Sequence, residues 1–401
     1  MAQNIAKSSQ MKIGITGVTG LLGRNLFFQI IKDNISSLDK ISFVLFLRAN
    51  GSIDACTKVR NILENDGIYY LGLSPKEAQL IFLQVLQNTT FIPFDLEKDN
   101  IIQDISEYQV ILSTRFDLFF HIAALTDFRS TPEVDQKLFN ANFLGTQKLL
   151  KLLSDTPLGA FCYISSAYAC GRTNGKIYAD YIQQNNRFRN PYEKTKLLAE
   201  KYIYEFFNER KVEVKIFRPS TLCGRLIEKP YGCTCKFDVF YSWAAFLQYQ
   251  KQKLFPNESG LTNIPIRFCC NSQSGLNIVP ADFAAKLILK LSLSKTSQIS
   301  FHICNNTETP HSFYASAIID FLNISGCEYV REIPKELNKI ESLYYRTVGK
   351  IYTPYVVNEP MDFDMSYEYS FMKDINLEFI PINNENIHSI LEFAKAKDFG
   401  L

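Results

Sequence analysis

Short apolar runs alternate with amphipathic stretches through the first half of the chain. "KIGIT" (12–16), "ISFVLFLR" (41–48), "TTFIPF" (89–94), "FDLFFHIA" (116–123), "AFCYISS" (160–166) and "VEVKIFRPS" (212–220) are rich in β-branched and aromatic residues. Runs of that length and composition predict buried strands. Between them, apolar residues recur at three- and four-residue spacing over 21–32, 54–65, 74–88, 133–154 and 191–210. That spacing predicts helices. Ser74-Pro75 is a helix entry signal, and Pro191 stands at a first helical position, where its missing N–H costs nothing. Strand–helix alternation of this kind predicts an α/β fold, a doubly wound parallel sheet with helices on both faces.

After about Arg225 the alternation breaks. Residues 236–253 predict an aromatic helix, 275–293 a strand, turn and helix, 297–305 a late strand, and 310–326 a helix. The expected organisation is a main sheet domain over 11–225, with elements returning to it at about 275–305. The rest of 226–401 forms a smaller, substrate-binding C-terminal lobe. The chain has no internal repeat or low-complexity linker.

Composition narrows the function classes. The 401 residues are 46% hydrophobic and 21% charged, ordinary for a folded domain that buries a large core. Lysine plus arginine is 43 against 41 acidic residues, a net charge of +2. That balance gives no electrostatic case for nucleic acid or an anionic membrane as partner. The ten cysteines are scattered with no C-x-x-C, and there are four histidines, so no metal site is expected. "CTC" at 233–235 reads as a loop carrying two thiols. "MAQNIAKSSQ" lacks the apolar core of a signal peptide, and no apolar run is long enough for a membrane span. With free thiols, these features predict a cytoplasmic location.

The candidate chemistry begins at "GITGVTGLLGRN" (14–25), where Gly17, Gly20 and Gly23 follow a strand and open a helix. The spacing is G-x-x-G-x-x-G. Gly17 permits a tight turn, Gly20 lets backbone N–H groups approach a pyrophosphate, and Gly23 allows close helix–sheet packing. A plain strand–turn–helix junction is the alternative. The second strand ends "LFLRAN", with Arg48 where a chain selecting NAD usually carries an acid. A planar guanidinium suits a 2′-phosphate, and Lys58 on the next helix adds a second cation. The two point to NADPH, against the alternative of a solvated strand end.

"NPYEKTKLLAE" places Tyr192 and Lys196 four residues apart on one helical face. An ammonium beside a phenol is expected to stabilise the phenolate and lower its pKa, and the same lysine can hold a nicotinamide ribose. A solvent-facing pair is the alternative. "ISSAYACG" puts Ser166 where the fifth strand ends, able to hold a carbonyl oxygen beside Tyr192, with Ser165 a competing assignment.

The ordered motifs "TGVTGLLG", "FDL" (94–96), "HIAALTDF" (121–128), "NFLGT" (142–146), "ISSAYACG", "PYEKTKLLAE", "RPSTLCG" and "NIVPADFAA" make the chain resemble an extended short-chain dehydrogenase/reductase over roughly residues 11–305. The resemblance implies a Rossmann-type fold and a catalytic trio of Ser166, Tyr192 and Lys196. It implies cofactor contacts from Gly17, Thr19, Gly20, Leu21, Leu22 and Gly23. Asp95 and Leu96 would line the adenine pocket, and Ala123 and Ala124 the cofactor channel. Asn142 would support the site through its helix, and Pro219, Ser220 and Thr221 would lie against the nicotinamide.

"LRANGSIDACTKVRNIL", extra helices over 66–115, "YISSAYACG" and "KIFRPSTLCG" make the chain, within that superfamily, most similar to the thioester reductase and fatty acyl-CoA reductase branch. That likeness implies NADPH-dependent reduction of an acyl thioester, on coenzyme A or an acyl carrier protein, to an aldehyde or alcohol. It departs from the pattern at Phe94 and Pro191, where glycine is common. No adenylation or carrier domain is attached, so the acyl donor is expected in trans. Phe237, Phe240, Tyr241, Trp243 and Phe246 are candidates for an acyl channel or a packed helix face. The rival functions are a nucleotide-sugar epimerase or dehydratase using NAD, and a non-catalytic NADP-binding sensor or assembly protein.

Overall fold

The computed structural model describes residues 10–48, 53–102, 104–254 and 260–401. Residues 1–9, read above as no signal peptide, and Ala49 and Asn50 of the "LFLRAN" strand end lie outside the described residues. Seven strands form the central sheet: β1 (Met11–Thr16), β2 (Ile41–Leu47), β3 (Thr89–Pro93), β4 (Phe116–His121), β5 (Leu158–Ile164), β6 (Glu213–Pro219) and β7 (Ser300–Ile303). Their order is β7-β6-β5-β4-β1-β2-β3, and every neighbouring pair is parallel. The order reverses between β1 and β4, so a crevice opens beyond the carboxyl ends of those two strands.

Local chemistry sets the helices that flank the sheet: α1 (Leu21–Asp33), α2 (Ala55–Ile62), α3 (Pro75–Gln87), α4 (Pro132–Leu138, continuing through wide turns at Phe139–Leu144 into Gly145–Leu152) and α5 (Pro191–Phe207). Ser74 and Glu77 cap α3 reciprocally, with Pro75 in the first turn. Asn190 caps α5 by accepting from the Glu193 N–H at 3.1 Å. Across the sheet, Phe119 stacks on Phe161 at 5.9 Å and meets Phe46 at 5.3 Å. On α5, the buried Glu200 accepts from Arg218 Nε of β6 at 2.9 Å. Removing one partner of so buried a pair costs about 3–5 kcal/mol.

Residues beyond the sixth strand build a second core from α6 (Phe240–Leu254), α8 (His311–Phe321) and α9 (Asn384–Ala396), while α7 (Ala281–Leu293) packs on the first core with β7. Three expectations need correction here. The helix expected over 310–326 stops at Phe321. Asn323 takes φ 52°, and Ile324–Val330 becomes a strand parallel to Thr262–Cys269. That partner strand was not predicted, although its buried and exposed residues alternate at first. The helix α6 begins at Phe240 rather than 236, because Val239 sits at φ 53° and breaks the helical run. Met361–Phe363 also pairs with Gly175–Ile177, and Met365 and Met372 bury against the first core, so the chain returns to the sheet side a second time. Among the described residues no helix is long and apolar enough to cross a membrane.

Candidate active site

A cavity of about 760 Å³ occupies the crevice beyond β1 and β4. One wall is the glycine loop. Gly17 holds φ 78°, and a Cβ there would come within 2.6 Å of the Ala123 nitrogen. A Cβ on Gly23 would lie 2.0 Å from the Gly17 carbonyl oxygen, so the first turn of α1 packs directly on the loop. Gly20 meets no such crowding: its nearest neighbour is at 3.4 Å, so its missing side chain leaves room in the cavity itself. No side chain caps the N-terminus of α1 and no acid stands in its first turn. Free N–H groups there fit an anion such as a pyrophosphate.

The loop after β4 forms the next wall. His121 bonds Thr16 Oγ1 at 2.9 Å and Thr146 Oγ1 at 3.0 Å. Thr16 Oγ1 in turn accepts from the Ile122 and Ala123 N–H groups, each at 3.1 Å. Burial, with Lys196 adding, pushes His121 down to about 3, so this knot holds a neutral imidazole.

At the end of β2, Arg48 and Lys58 reach the cavity. Arg48 is ion-paired, its Nη2 lying 2.7 Å from Glu97 Oε1 and its Nε 3.6 Å from Asp95 Oδ1. Lys58 Nζ donates to the Arg48 carbonyl at 2.9 Å. Arg48 is therefore neither a bare cation nor a simple solvated strand end.

Ser166, Tyr192 and Lys196 meet on the floor, at the end of β5 and on the first turns of α5. Tyr192 is wedged edge-on against Phe128 at 5.3 Å, with Lys196 Nζ 5.9 Å from its ring centre. Lys196 Nζ donates to the Ile164 carbonyl at 2.8 Å. The sequence-based expectation that this lysine acidifies the phenol does not hold. Burial pushes Tyr192 above the ordinary tyrosine value, the Asp238 carboxylate adds to the rise, and hydrogen bonds with Ser166 and Thr126 only partly oppose it. Burial also drives Lys196 down, to about 7, against the pull of Glu200 and with Lys236 adding. In so dry a site desolvation outweighs the attraction between the pair. Of the two serines, Ser166 is the one bonded to Tyr192, and its Oγ also accepts from the Tyr168 N–H at 3.2 Å. Ser165 lines the cavity as well, with its hydroxyl unpartnered among the described residues.

Thr19, Leu21, Leu22, Leu96, Ala123, Ala124, Pro219, Ser220 and Thr221 also line this cavity. Two of the predicted contacts do not. Asp95 turns to Arg48 and to the Glu97 N–H at 3.1 Å. Asn142 is buried behind the wall. It accepts from the Leu125 N–H at 2.8 Å, and its Nδ2 donates to the Leu125 carbonyl at 2.9 Å and to Thr195 Oγ1 at 3.3 Å. It ties α4 to α5 and fixes the wall rather than touching what fills the cavity.

Sequence reasoning missed Thr126, Phe128, Tyr168, Lys236, Asp238, Tyr352 and Tyr355, all of which face the cavity. The first three lie inside motifs already singled out, and "YTPY" at 352–355 places two tyrosines one helical turn apart. Of the proposed acyl-channel aromatics, none lines this cavity. Phe240, Tyr241, Trp243 and Phe246 are buried in the second core. Among the described residues no cluster of His, Cys, Asp and Glu is built to hold a metal ion.

The sequence model of the male sterility protein family, an NAD-binding family, matches residues 15–288. The chain belongs to that family. With it goes the extended short-chain dehydrogenase/reductase architecture, and the family's nicotinamide cofactor suits the cavity just described. A search among curated proteins finds no match. The fold is shared with the terminal R domain of the myxalamid PKS-NRPS biosynthetic pathway, at 16% identity and TM-score 0.70, covering 98% of this chain and 92% of that one. A thiolation-reductase di-domain from an archaeal non-ribosomal peptide synthetase matches at 17% identity and TM-score 0.63, covering 98% and 91%. UDP-glucuronic acid 4-epimerase from Bacillus cereus, in complex with NAD, matches at 18% identity and TM-score 0.61, covering 96% and 97%. The family member described here is thus an oxidoreductase by lineage, on a scaffold that reductases and epimerases share.

Proposed function

We propose that this chain is an NADPH-dependent reductase of acyl thioesters, delivered in the cytoplasm on coenzyme A or an acyl carrier protein. The observation that carries the reading is the single cavity that gathers the glycine loop, Arg48 with Lys58, and the trio Ser166, Tyr192 and Lys196. Bound NADPH would supply a hydride to the thioester carbonyl carbon. The N–H groups of the 17–23 loop and α1 would hold its pyrophosphate, and Arg48 with Lys58 would hold its 2′-phosphate. Ser166 and Tyr192 donate hydrogen bonds to the carbonyl oxygen, which gains negative charge as the carbon is reduced. Tyr192, kept protonated by its burial, gives its proton to that oxygen. Lys196, driven down to about 7 by its burial, would hold the nicotinamide ribose beside the phenol. The hemithioacetal then collapses to aldehyde and thiol. The reductase-domain likenesses are in keeping with a carrier-bound donor.

The test is NADPH oxidation, followed by absorbance, with acyl-CoAs of graded length, alongside mass spectrometry of co-purified ligand. Oxidation with release of thiol is the expected result. Stoichiometric NAD in the purified protein, together with thermal stabilisation by UDP-sugars alone, would replace this reading with the epimerase one. Binding of NADPH without its consumption by any substrate would favour the non-catalytic one.

A further inference from the structure

A second, smaller pocket lies in the lobe, of about 50 Å³. It shares Val239, Leu276, Tyr352 and Tyr355 with the main cavity, so those four side chains are the partition between the two spaces. The partition is tied in place. Tyr352 Oη accepts from the Val239 N–H at 3.0 Å. Tyr355 Oη donates to Glu193 at 2.8 Å and accepts from Asn190 at 2.7 Å, both at the start of the helix that carries Tyr192 and Lys196.

Beyond the partition the walls are aromatic, with Phe240, Trp243, Phe268 and Tyr344 among them. Cys269, Cys270, Tyr314 and Tyr329 also stand in this lining, and His311 is the member that leaves a buried polar atom unpaired. His311 is 3% exposed, and its Nδ1 bonds the Tyr314 hydroxyl at 2.8 Å. Its Nε2 is buried with no partner among the described residues. A buried nitrogen left unpaired in an apolar pocket is costly, and a ligand group that pairs with it recovers that cost. Burial pushes His311 down to about 4, so the ring is neutral at physiological pH. A neutral imidazole offers Nε2 as donor or acceptor according to its tautomer, and a hydroxyl complements either.

We propose that this pocket receives the end of the substrate's acyl tail, passing between Tyr352 and Tyr355, and that His311 Nε2 hydrogen-bonds a hydroxyl carried there. The substrate class is then a hydroxylated acyl thioester rather than a plain saturated one. The volume holds roughly four water-sized groups, enough for a short terminal segment. This assignment rests on the thioester reading above.

The test uses the full chain and two readouts. Calorimetry compares hexanoyl-, octanoyl- and decanoyl-CoA with their omega-hydroxy counterparts, and NADPH oxidation is followed with the same compounds. The expected result is that at least one hydroxylated member binds about fivefold to tenfold more tightly than its parent, the range of one hydrogen bond to a buried group. His311→Leu should erase the difference while leaving the parent compound's binding in place, and His311→Gln should restore part of it. Should the leucine variant fail to fold, the glutamine variant and Tyr314→Phe, which frees Nδ1, carry the same comparison. Equal binding of every pair by the wild type, or a preference that survives His311→Leu, overturns the proposal. A His311-dependent preference without NADPH oxidation keeps the pocket and removes the reductase. Oxidation without that preference does the reverse.

Discussion

The sheet half and the lobe both bury many aromatic rings, and they assemble them by opposite routes. In the sheet, β1 to β5 are each followed by a helix, and the carboxyl ends of β1 to β6 fall directly on the cavity. In the lobe, Thr262–Cys269 pairs with the distant Ile324–Val330, and Tyr352 and Tyr355 reach the cavity from a helix far along the chain. The comparison teaches where function is divided. The sheet side of the cavity is built from local motifs, whereas the lobe side is built from long-range packing.

The sharpest contrast comes from removing one oxygen on the sheet side. Tyr192→Phe should lower turnover on the order of a thousandfold, the size of a lost proton donor, with the circular dichroism spectrum and melting temperature kept. Undiminished turnover would separate the phenol from the chemistry. Tyr352→Phe removes an oxygen from the lobe wall that, among the described residues, bonds the Val239 N–H and, at 3.4 Å, Ser242. It should leave the rate constant far less affected and act mainly on KM.

A methyl group probes the loop. Gly23→Ala forces a carbon within 2.0 Å of the Gly17 carbonyl. Overpacking of this kind costs about 1–3 kcal/mol, and it should be read as a lower denaturation midpoint together with weakened cofactor binding. Gly20→Ala, with no contact closer than 3.4 Å, should keep its stability and weaken the cofactor alone. Equal destabilisation by both would mean that the loop is held by packing and not shaped around a ligand.

The pH profile separates the trio's two titrating members. Lys196 sits at about 7 because burial disfavours its charge, so the ammonium is present below that pH and lost above it. The profile of kcat/KM, which reports the free enzyme, should fall on its alkaline side near pH 7, and Lys196→Arg should remove that limb. A limb near pH 10 would place the lysine in a wetter setting than the one described.

How much of this was legible beforehand follows the same division. All six early strands and the glycine loop follow from patterns a few residues long, and 17 of the 19 predicted site residues line one cavity. The exceptions are instructive. Asp95 was placed by motif position, yet it satisfies its carboxylate within the protein wall, and Asn142 supports the site from its helix without reaching the cavity. The acidified phenol was wrong because pair spacing on a helix says nothing of desolvation, which needs the burial of both groups. The lobe's strands pair across long separations, and no local period announces a partner. The start of Ile324–Val330 was read as the end of a helix because Asn323 at positive φ, not composition, ends that helix.

The lobe has its own electrostatic anchor, and acid should loosen it selectively. Glu341 receives Arg267 through Nε at 2.6 Å and Nη2 at 2.7 Å, which holds its carboxyl down at about 2 from an ordinary 4.5. A depressed carboxylate stabilises the fold fully above its unfolded pKa. That contribution therefore stands above about pH 4.5 and drains away as the pH falls towards 2. Arg267 is 38% exposed, so solvent screens the pair and the effect stays under about 1 kcal/mol. Glu341→Gln should flatten the stability profile between those pH values, read from tyrosine fluorescence or amide exchange in 262–269 and 338–346. Exchange in β1, β4 and β5 should not respond. A matching loss in those strands would show that the two cores unfold as one unit, and that the lobe is free to vary only within limits set by the sheet.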